Sequence, residues 1–142
     1  MAQIKSALEI ALERTQGVEG DKESLVADEA RKQGKMVVSR FLNEPDYSLK
    51  DGLASIDKAK RAWAQEGMLE VLLANLVLPQ DQLGVARVER IAEAFATIKH
   101  DKRAQQMFKQ LSSFFDEYVE ERDRVREMVM QQYAPRLRQK EQ

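Results

Sequence analysis

The only histidine of the chain, His100, is the first residue to consider for catalysis, because Asp101 follows it directly. A carboxylate that contacts an imidazole can help it act as a general base. Side chains that are adjacent in a turn seldom face each other, however, and the pair is flanked by three cations: Lys99, Lys102 and Arg103. We therefore predict an ordinary exposed turn histidine and no catalytic residue.

Four carboxylates close together in sequence raise the question of a metal site: Asp116, Glu117, Glu120 and Glu121. Helical bundles that hold two metal ions use a Glu-x-x-His pattern on two helices, and one histidine cannot supply it. Glu120 also precedes Arg124 by one helical turn, in the order that favours an ion pair. We predict solvated, mutually paired helix faces and no metal ligand.

Cofactor and nucleotide motifs are missing from the sequence. It has no cysteine, so thiol catalysis, zinc–thiolate sites and disulfides are excluded, and this composition fits a reducing, cytoplasmic setting. The glycine-rich patterns that hold phosphate groups do not occur. We expect no cofactor and no enzymatic activity. An enzyme whose site assembles in space, without a recognisable motif, stays open as an alternative.

Charge and hydropathy limit the class of partner. Charged residues make up 33% of the 142 residues, yet the formal net charge is only −1, which argues against a nucleic-acid partner. Lys5, Glu9 and Glu13 interrupt the apolar residues at the start, so no signal peptide is expected. The longest apolar segment, Met68–Leu78, falls short of the ~20 residues that span a bilayer. We expect a cytoplasmic protein without a membrane span.

Helical spacing of apolar residues dominates the chain and predicts an all-α fold, a helical bundle of about five helices in one domain over residues 1–134. Glycine and proline mark a predicted hinge near 17–20, with Asp21 as the following N-cap. Predicted turns lie near 44–48, 79–81 and 99–103.

Two glycines inside the helical segments carry further predictions. Gly34 lies on an apolar stripe one turn from Ala30, so we expect another helix to approach this small pair closely. The apolar stripe of residues 49–63 and that of residues 69–76 differ by about half a turn. Either the helix breaks near Gly67, or one long helix is apolar nearly all round.

The C-terminal helix, predicted from about Lys102 to Ala134, is coiled-coil-like and about 50 Å long. Seven residues at alternating spacings of three and four form its seam, which we predict to be an interaction surface: Phe108, Leu111, Phe115, Tyr118, Arg122, Val125 and Val129. Part of this helix is expected to overhang the bundle. We place a turn with Asp101 as N-cap before it, although a bend in one continuous helix stays open, and a flexible basic tail after it, at 135–142.

Arg122 occupies a seam position where the pattern favours an apolar residue. A long arginine can lay its methylene groups along the seam and keep its guanidinium in water or against a glutamate. In a self-associating coil, one polar seam residue can instead fix the register and the number of chains. We favour the first interpretation. Met128 and Met130 are interpreted as core or seam filling.

These patterns favour a non-enzymatic interaction or assembly protein that pairs through its long C-terminal helix, either as a homo-oligomer or with another protein. The alternative is a small-ligand-binding or regulatory bundle with a pocket among Trp63, Leu72 and Phe95. The first hypothesis depends on a seam longer than a small bundle readily covers.

Overall fold

The computed structural model describes residues 6–140, apart from the side chains of Val18 and Glu19. Five α-helices and one short 3-10 helix form this part of the chain, which contains no strand. In chain order they are α1 (Ala7–Asn43), α2 (Leu49–Ala54), the 3-10 helix (Lys58–Lys60), α3 (Arg61–Asn75), α4 (Gln82–Ile98) and α5 (Lys102–Lys140). The predicted all-α fold with a long last helix is confirmed.

The chain divides into two compact units, Met1–Leu73 and Ala74–Gln142. Unit 1 holds α1, α2, the 3-10 helix and most of α3, and unit 2 holds α4 and α5. The sequence predicted one domain over residues 1–134. The division falls inside the apolar segment Met68–Leu78, where no change of composition marks a boundary.

Helix α1, Ala7–Asn43, is one helix where the sequence predicted two segments separated by a hinge. Ser6 and Glu9 form a capping box: the Ser6 Oγ accepts from the Glu9 N–H at 3.3 Å, and the Glu9 carboxylate accepts from the Ser6 N–H at 2.8 Å. The helix then continues through residues 17–20, so the predicted hinge and the Asp21 N-cap are wrong. Glycine lowers helix stability by about 1 kcal/mol per residue without preventing the helical conformation.

Unit 1 is held together by a close contact between α1 and α3. A Cβ atom at Gly34 would overlap the backbone of Ala64, and one at Gly67 would overlap the backbone of Arg31. Ala30 is buried beside this contact. The predicted close approach of a helix to Ala30 and Gly34 is confirmed.

Ion pairs flank this contact on the solvent side. The Arg31 Nε donates to the Glu66 carboxylate at 2.9 Å, and the same hydrogen bond raises the pKa of the arginine. Lys35 pairs with Glu70 one turn further along both helices. Because all four side chains remain at least partly exposed to solvent, the glycine contacts, not the charges, fix how α1 and α3 approach each other.

The helix break that the sequence placed near Gly67 lies earlier in the chain, between residues 54 and 61. Ser48 caps α2, accepting from the Asp51 N–H at 3.3 Å, and this short helix ends at Ala54. Asp57 then caps the 3-10 helix through the Ala59 N–H at 3.3 Å. Neither predicted alternative is correct, because Gly67 is buried inside α3, where its missing side chain admits α1.

Unit 2 is built on a hairpin of α4 and α5. Lys99 is extended, with φ −120° and ψ 112°, so a turn and not a bend separates the helices. Asp101 caps α5 as predicted, since its carboxylate accepts from the Arg103 N–H at 2.9 Å. The core of the hairpin consists of four buried residues with three half-buried neighbours: Val85, Val88, Phe115 and Val119, with Leu76, Leu111 and Tyr118.

Helix α5 extends past its predicted end at Ala134. Pro135 lies inside the helix, which continues to Lys140, so residues 135–140 are helical where the sequence predicted a flexible tail; Glu141 and Gln142 lie outside the described residues. Proline fits the helical φ and removes only its own N–H donor, although the interruption costs about 3 kcal/mol. No helix of the described residues is long and apolar enough to cross a membrane.

Candidate interaction surface on the C-terminal helix

The first four seam residues belong to the core of unit 2. The Phe108 ring lies 5.3 Å from the Phe95 ring of α4, measured between centroids. Phe115 is buried in the core, and Leu111 and Tyr118 pack against the same cluster. This half of the seam is therefore an intramolecular contact between α4 and α5.

Arg122 marks the end of that contact. Its Nη1 donates a hydrogen bond of 2.6 Å to the backbone carbonyl of Gln80, in the segment before α4. The side chain is half-buried, which agrees with an arginine lying along the seam, but its acceptor is a carbonyl and not a glutamate. The polar seam residue is thus used within its own unit.

The seam continues beyond Arg122 as an exposed apolar surface. Val125 and Val129 are 44% and 47% exposed, and Tyr133 and Leu137 prolong the same side of the helix. We call these four residues the exposed stripe. Met128 and Met130, both largely exposed, lie on either side of it, so of the predicted core or seam filling they do not fill the core of unit 2.

No described side chain between Glu120 and Lys140 is buried. These twenty-one residues correspond to about 32 Å of helix. Only Arg122 and Ala134 among them are half-buried. The end of α5 therefore carries its apolar residues without cover from its own unit.

Opposite charges lie at the two ends of the exposed stripe. Residues 116–123 contain five acids and one arginine, whereas residues 136–140 contain three cations and no acid. We call these the acidic segment and the basic end. Within them, Glu121 accepts from Arg124 at 3.1 Å, and the Arg136 guanidinium lies 5.7 Å from the centre of the Tyr133 ring. This part of α5 is therefore acidic before the exposed stripe and basic at its end.

The other residues with potential for chemistry are dispersed. His100 is exposed, and the Asp101 carboxylate is engaged at the start of α5. Among residues 6–140, no three histidine or acidic side chains come close enough to hold a metal ion. Trp63 and Leu72 belong to unit 1 and Phe95 to unit 2, so the pocket predicted among them stays a prediction.

An open groove of about 600 Å³ lies between α4 and α5 in unit 2. Its lining combines the apolar side chains of Ala92, Ala96 and Phe108 with polar groups at the edge: Glu89, Lys109, Ser112 and Asp116. These polar side chains lie on the flanks of the two helices, outside the seam. Sequence periodicity, which identifies the apolar face, gave no signal for this groove.

Tyr133 and Leu137 were missed as members of the interaction surface. They follow Val129 at intervals of four residues, which is the spacing of one helix face. Pro135 concealed this signal because proline commonly ends a helix. The spacing of apolar residues continues across Pro135, and this was the signal that could have identified Tyr133 and Leu137.

The chain belongs to a family of unknown function (DUF6657), whose model matches residues 50–142. The match includes α2 to α5 and hence the whole exposed stripe. No curated protein and no solved structure matches the chain significantly.

Proposed function

We propose that this DUF6657 protein is a non-enzymatic interaction protein that assembles with another protein chain through the exposed stripe of α5. The observation that carries the proposal is a helix end of twenty-one residues with an apolar side and no buried side chain. The partner is either a second copy of this chain or a different protein. The cysteine-free composition supports assembly in the cytoplasm.

The energetics of the helix end support a partner. Most of the stability of a protein helix comes from packing of its apolar side, which this segment lacks within its own unit, and Pro135 removes about 3 kcal/mol more. Fully burying an exposed valine or leucine side chain contributes about 1.5–3 kcal/mol, and about half of this remains to be gained at each stripe residue, since these are 44–57% exposed. A partner that covers the exposed stripe therefore offsets the cost of the proline and holds the helix straight to its end.

A photoreactive phenylalanine analogue at position 129 tests the proposal in the full chain inside cells. Position 131 is the matched control, because it is also exposed and lies about 200° round the helix from Val129. We expect a protein adduct from position 129 after irradiation and little or none from position 131. Mass spectrometry of the adduct identifies the second chain.

Equal adducts from positions 129 and 131 indicate random collision and contradict the proposal, as does the absence of an adduct at 129. Substituting Val125→Glu and Val129→Glu in the same experiment, with the analogue moved to position 133, should abolish the adduct. Leu111 is unsuitable for such a substitution, since it packs against the core of unit 2 and its loss tests folding instead.

Ligand binding is the second candidate function, and the groove beside Phe108 favours it. The groove offers acidic, basic and hydroxyl groups to a small polar molecule: Glu89, Asp116, Lys109 and Ser112. The groove is open, whereas most small-molecule sites enclose most of their ligand. The exposed stripe, whose four apolar side chains are uncovered along one side of the helix end, is therefore the better-supported site.

A further inference from the structure

We infer that the partner of the exposed stripe is a second copy of this chain, paired antiparallel, with Val129 of one copy facing Val129 of the other. This inference rests on the proposed function and names the partner for the same surface. Three observations carry it: the distribution of charge along α5, the symmetric placement of Val125 and Tyr133 about Val129, and the apolar surface near Gln80.

Charge complementarity selects the antiparallel orientation. The acidic segment, residues 116–123, ends six residues before Val129, and the basic end, residues 136–140, begins seven residues after it. Two antiparallel copies centred on Val129 place each basic end beside the acidic segment of the other copy. Two parallel copies would instead place like charges together at both ends, which opposes association.

The first three residues of the exposed stripe have the same centre as the charges. Val125 and Tyr133 lie four residues before and after Val129, about one helical turn on each side. In the antiparallel pair, Val125 of one copy therefore faces Tyr133 of the other, and the valines at position 129 meet on the two-fold axis. A symmetric interface of this kind requires one surface that complements itself.

Pairing centred on Val129 also places apolar surface near Leu137 of the second copy. Leu137 of the second copy is level with Glu121, next to Arg122, which binds the Gln80 carbonyl. Val77 and Leu78, close to Gln80 in the chain, are exposed by 63% and 47%. The segment before α4 thus offers an apolar contact where the stripe of the second copy ends.

Engineered cysteines test the pairing in the full chain, which has no native cysteine. A disulfide needs Cα atoms within about 7 Å, whereas residues 125 and 133 of one helix are about 12 Å apart. We expect Val129→Cys to oxidise to a covalent dimer. Val125→Cys and Tyr133→Cys, one of them lengthened by a tag, should cross-link when mixed and neither should cross-link with itself.

Other cross-linking results overturn the inference in distinguishable ways. Self-cross-linking of Val125→Cys indicates a parallel pair. If the control Gln131→Cys gives as much covalent dimer as Val129→Cys, the cross-links come from random collision. If position 129 forms no disulfide but gives a photo-adduct with a different protein, the self-pair is refuted and the proposed function stands. Absence of both the disulfide and the adduct refutes both.

Charge reversal tests the orientation independently. Arg136→Glu, Arg138→Glu and Lys140→Glu together should raise the dimer dissociation constant about tenfold or more. Mixing this variant with one carrying Glu117→Lys and Glu120→Lys should restore association, since the acidic and basic regions again complement each other. Unchanged self-affinity of the triple variant, or no restoration on mixing, contradicts the antiparallel pair. Protection of the α4 amides from hydrogen exchange confirms that unit 2 of these variants remains folded.

Discussion

Gly34 and Gly67 show how an absent side chain determines a helix contact. Each glycine faces backbone atoms of the opposite helix, at Ala64 and Arg31, so neither neighbour can rotate away to admit a methyl group. Gly20, in contrast, lies in α1 where an added Cβ atom would meet no other atom within 4 Å. The same residue type is therefore required at one place in α1 and merely tolerated at another.

Substituting Gly34→Ala should destabilise unit 1 by about 1–3 kcal/mol, the usual cost of overpacking a close contact. Gly20→Ala is the matched control and should stabilise it by up to about 1 kcal/mol, since alanine favours the helix. Urea unfolding followed by Trp63 fluorescence measures unit 1 selectively, because Trp63 is the sole tryptophan. Equal midpoints for the two variants would contradict the close contact.

Sequence reasoning identified one of these two glycines. Gly34 was recognised because Ala30 and an apolar stripe surround it, which indicates a packed face. Gly67 was interpreted as a possible break, because the apolar stripe changes phase close to it. Both a break and a close contact favour glycine, and only the position of α1 in space decides between them.

Helix length explains why the seam of α5 divides at Arg122. Helix α4 has 17 residues and α5 has 39, so a hairpin of the two covers only the first half of the longer helix. The two segments pair consistently along their length, since Phe108 lies opposite Phe95 and Arg122 lies opposite Gln80. Beyond Arg122, no described side chain of α5 is buried, so the seam continues uncovered.

Two valines on α5 provide a test of this division. Val119 is 1% exposed and Val125 is 44% exposed. Val119→Ala should destabilise unit 2 by about 1–3 kcal/mol, through lost burial and the cavity left behind, whereas Val125→Ala should change the stability of the folded unit by less than about 0.5 kcal/mol. Hydrogen exchange of the α4 amides, measured at a low protein concentration, reports the stability of unit 2. Equal effects would show that the two halves of the seam are packed alike.

The boundaries of α4 and most of the seam were predictable from the sequence. The point at which the seam divides into a half covered by α4 and an exposed half was not predicted. Spacings of three and four are the same on both sides of Arg122, so periodicity cannot distinguish a side chain covered by α4 from one that awaits another chain. The predicted bounds of the two helices already implied a difference of length. The tertiary pairing of Gln80 with Arg122 then fixes where the cover ends.

At the scale of the whole molecule, the amount of helix should depend on protein concentration. The helical conformation of residues 120–140 has no support from a buried side chain, and Pro135 weakens it further. Association of two copies stabilises this segment by mass action, while the cores of units 1 and 2 need no second copy. Dilution should therefore unfold the end of α5 and leave the rest of each unit folded.

We expect dilution through the dimer dissociation constant to remove up to about a fifth of the α-helical circular dichroism, the share contributed by residues 120–140. Trp63 fluorescence should stay constant, because Trp63 lies in unit 1. The variant with Val125→Glu and Val129→Glu is the control and should give the signal of the diluted protein at every concentration, since glutamates on the stripe prevent pairing. A wild-type signal that stays fully helical at every dilution would show that this segment is stable without a second copy, and the energetic argument for assembly would then fail.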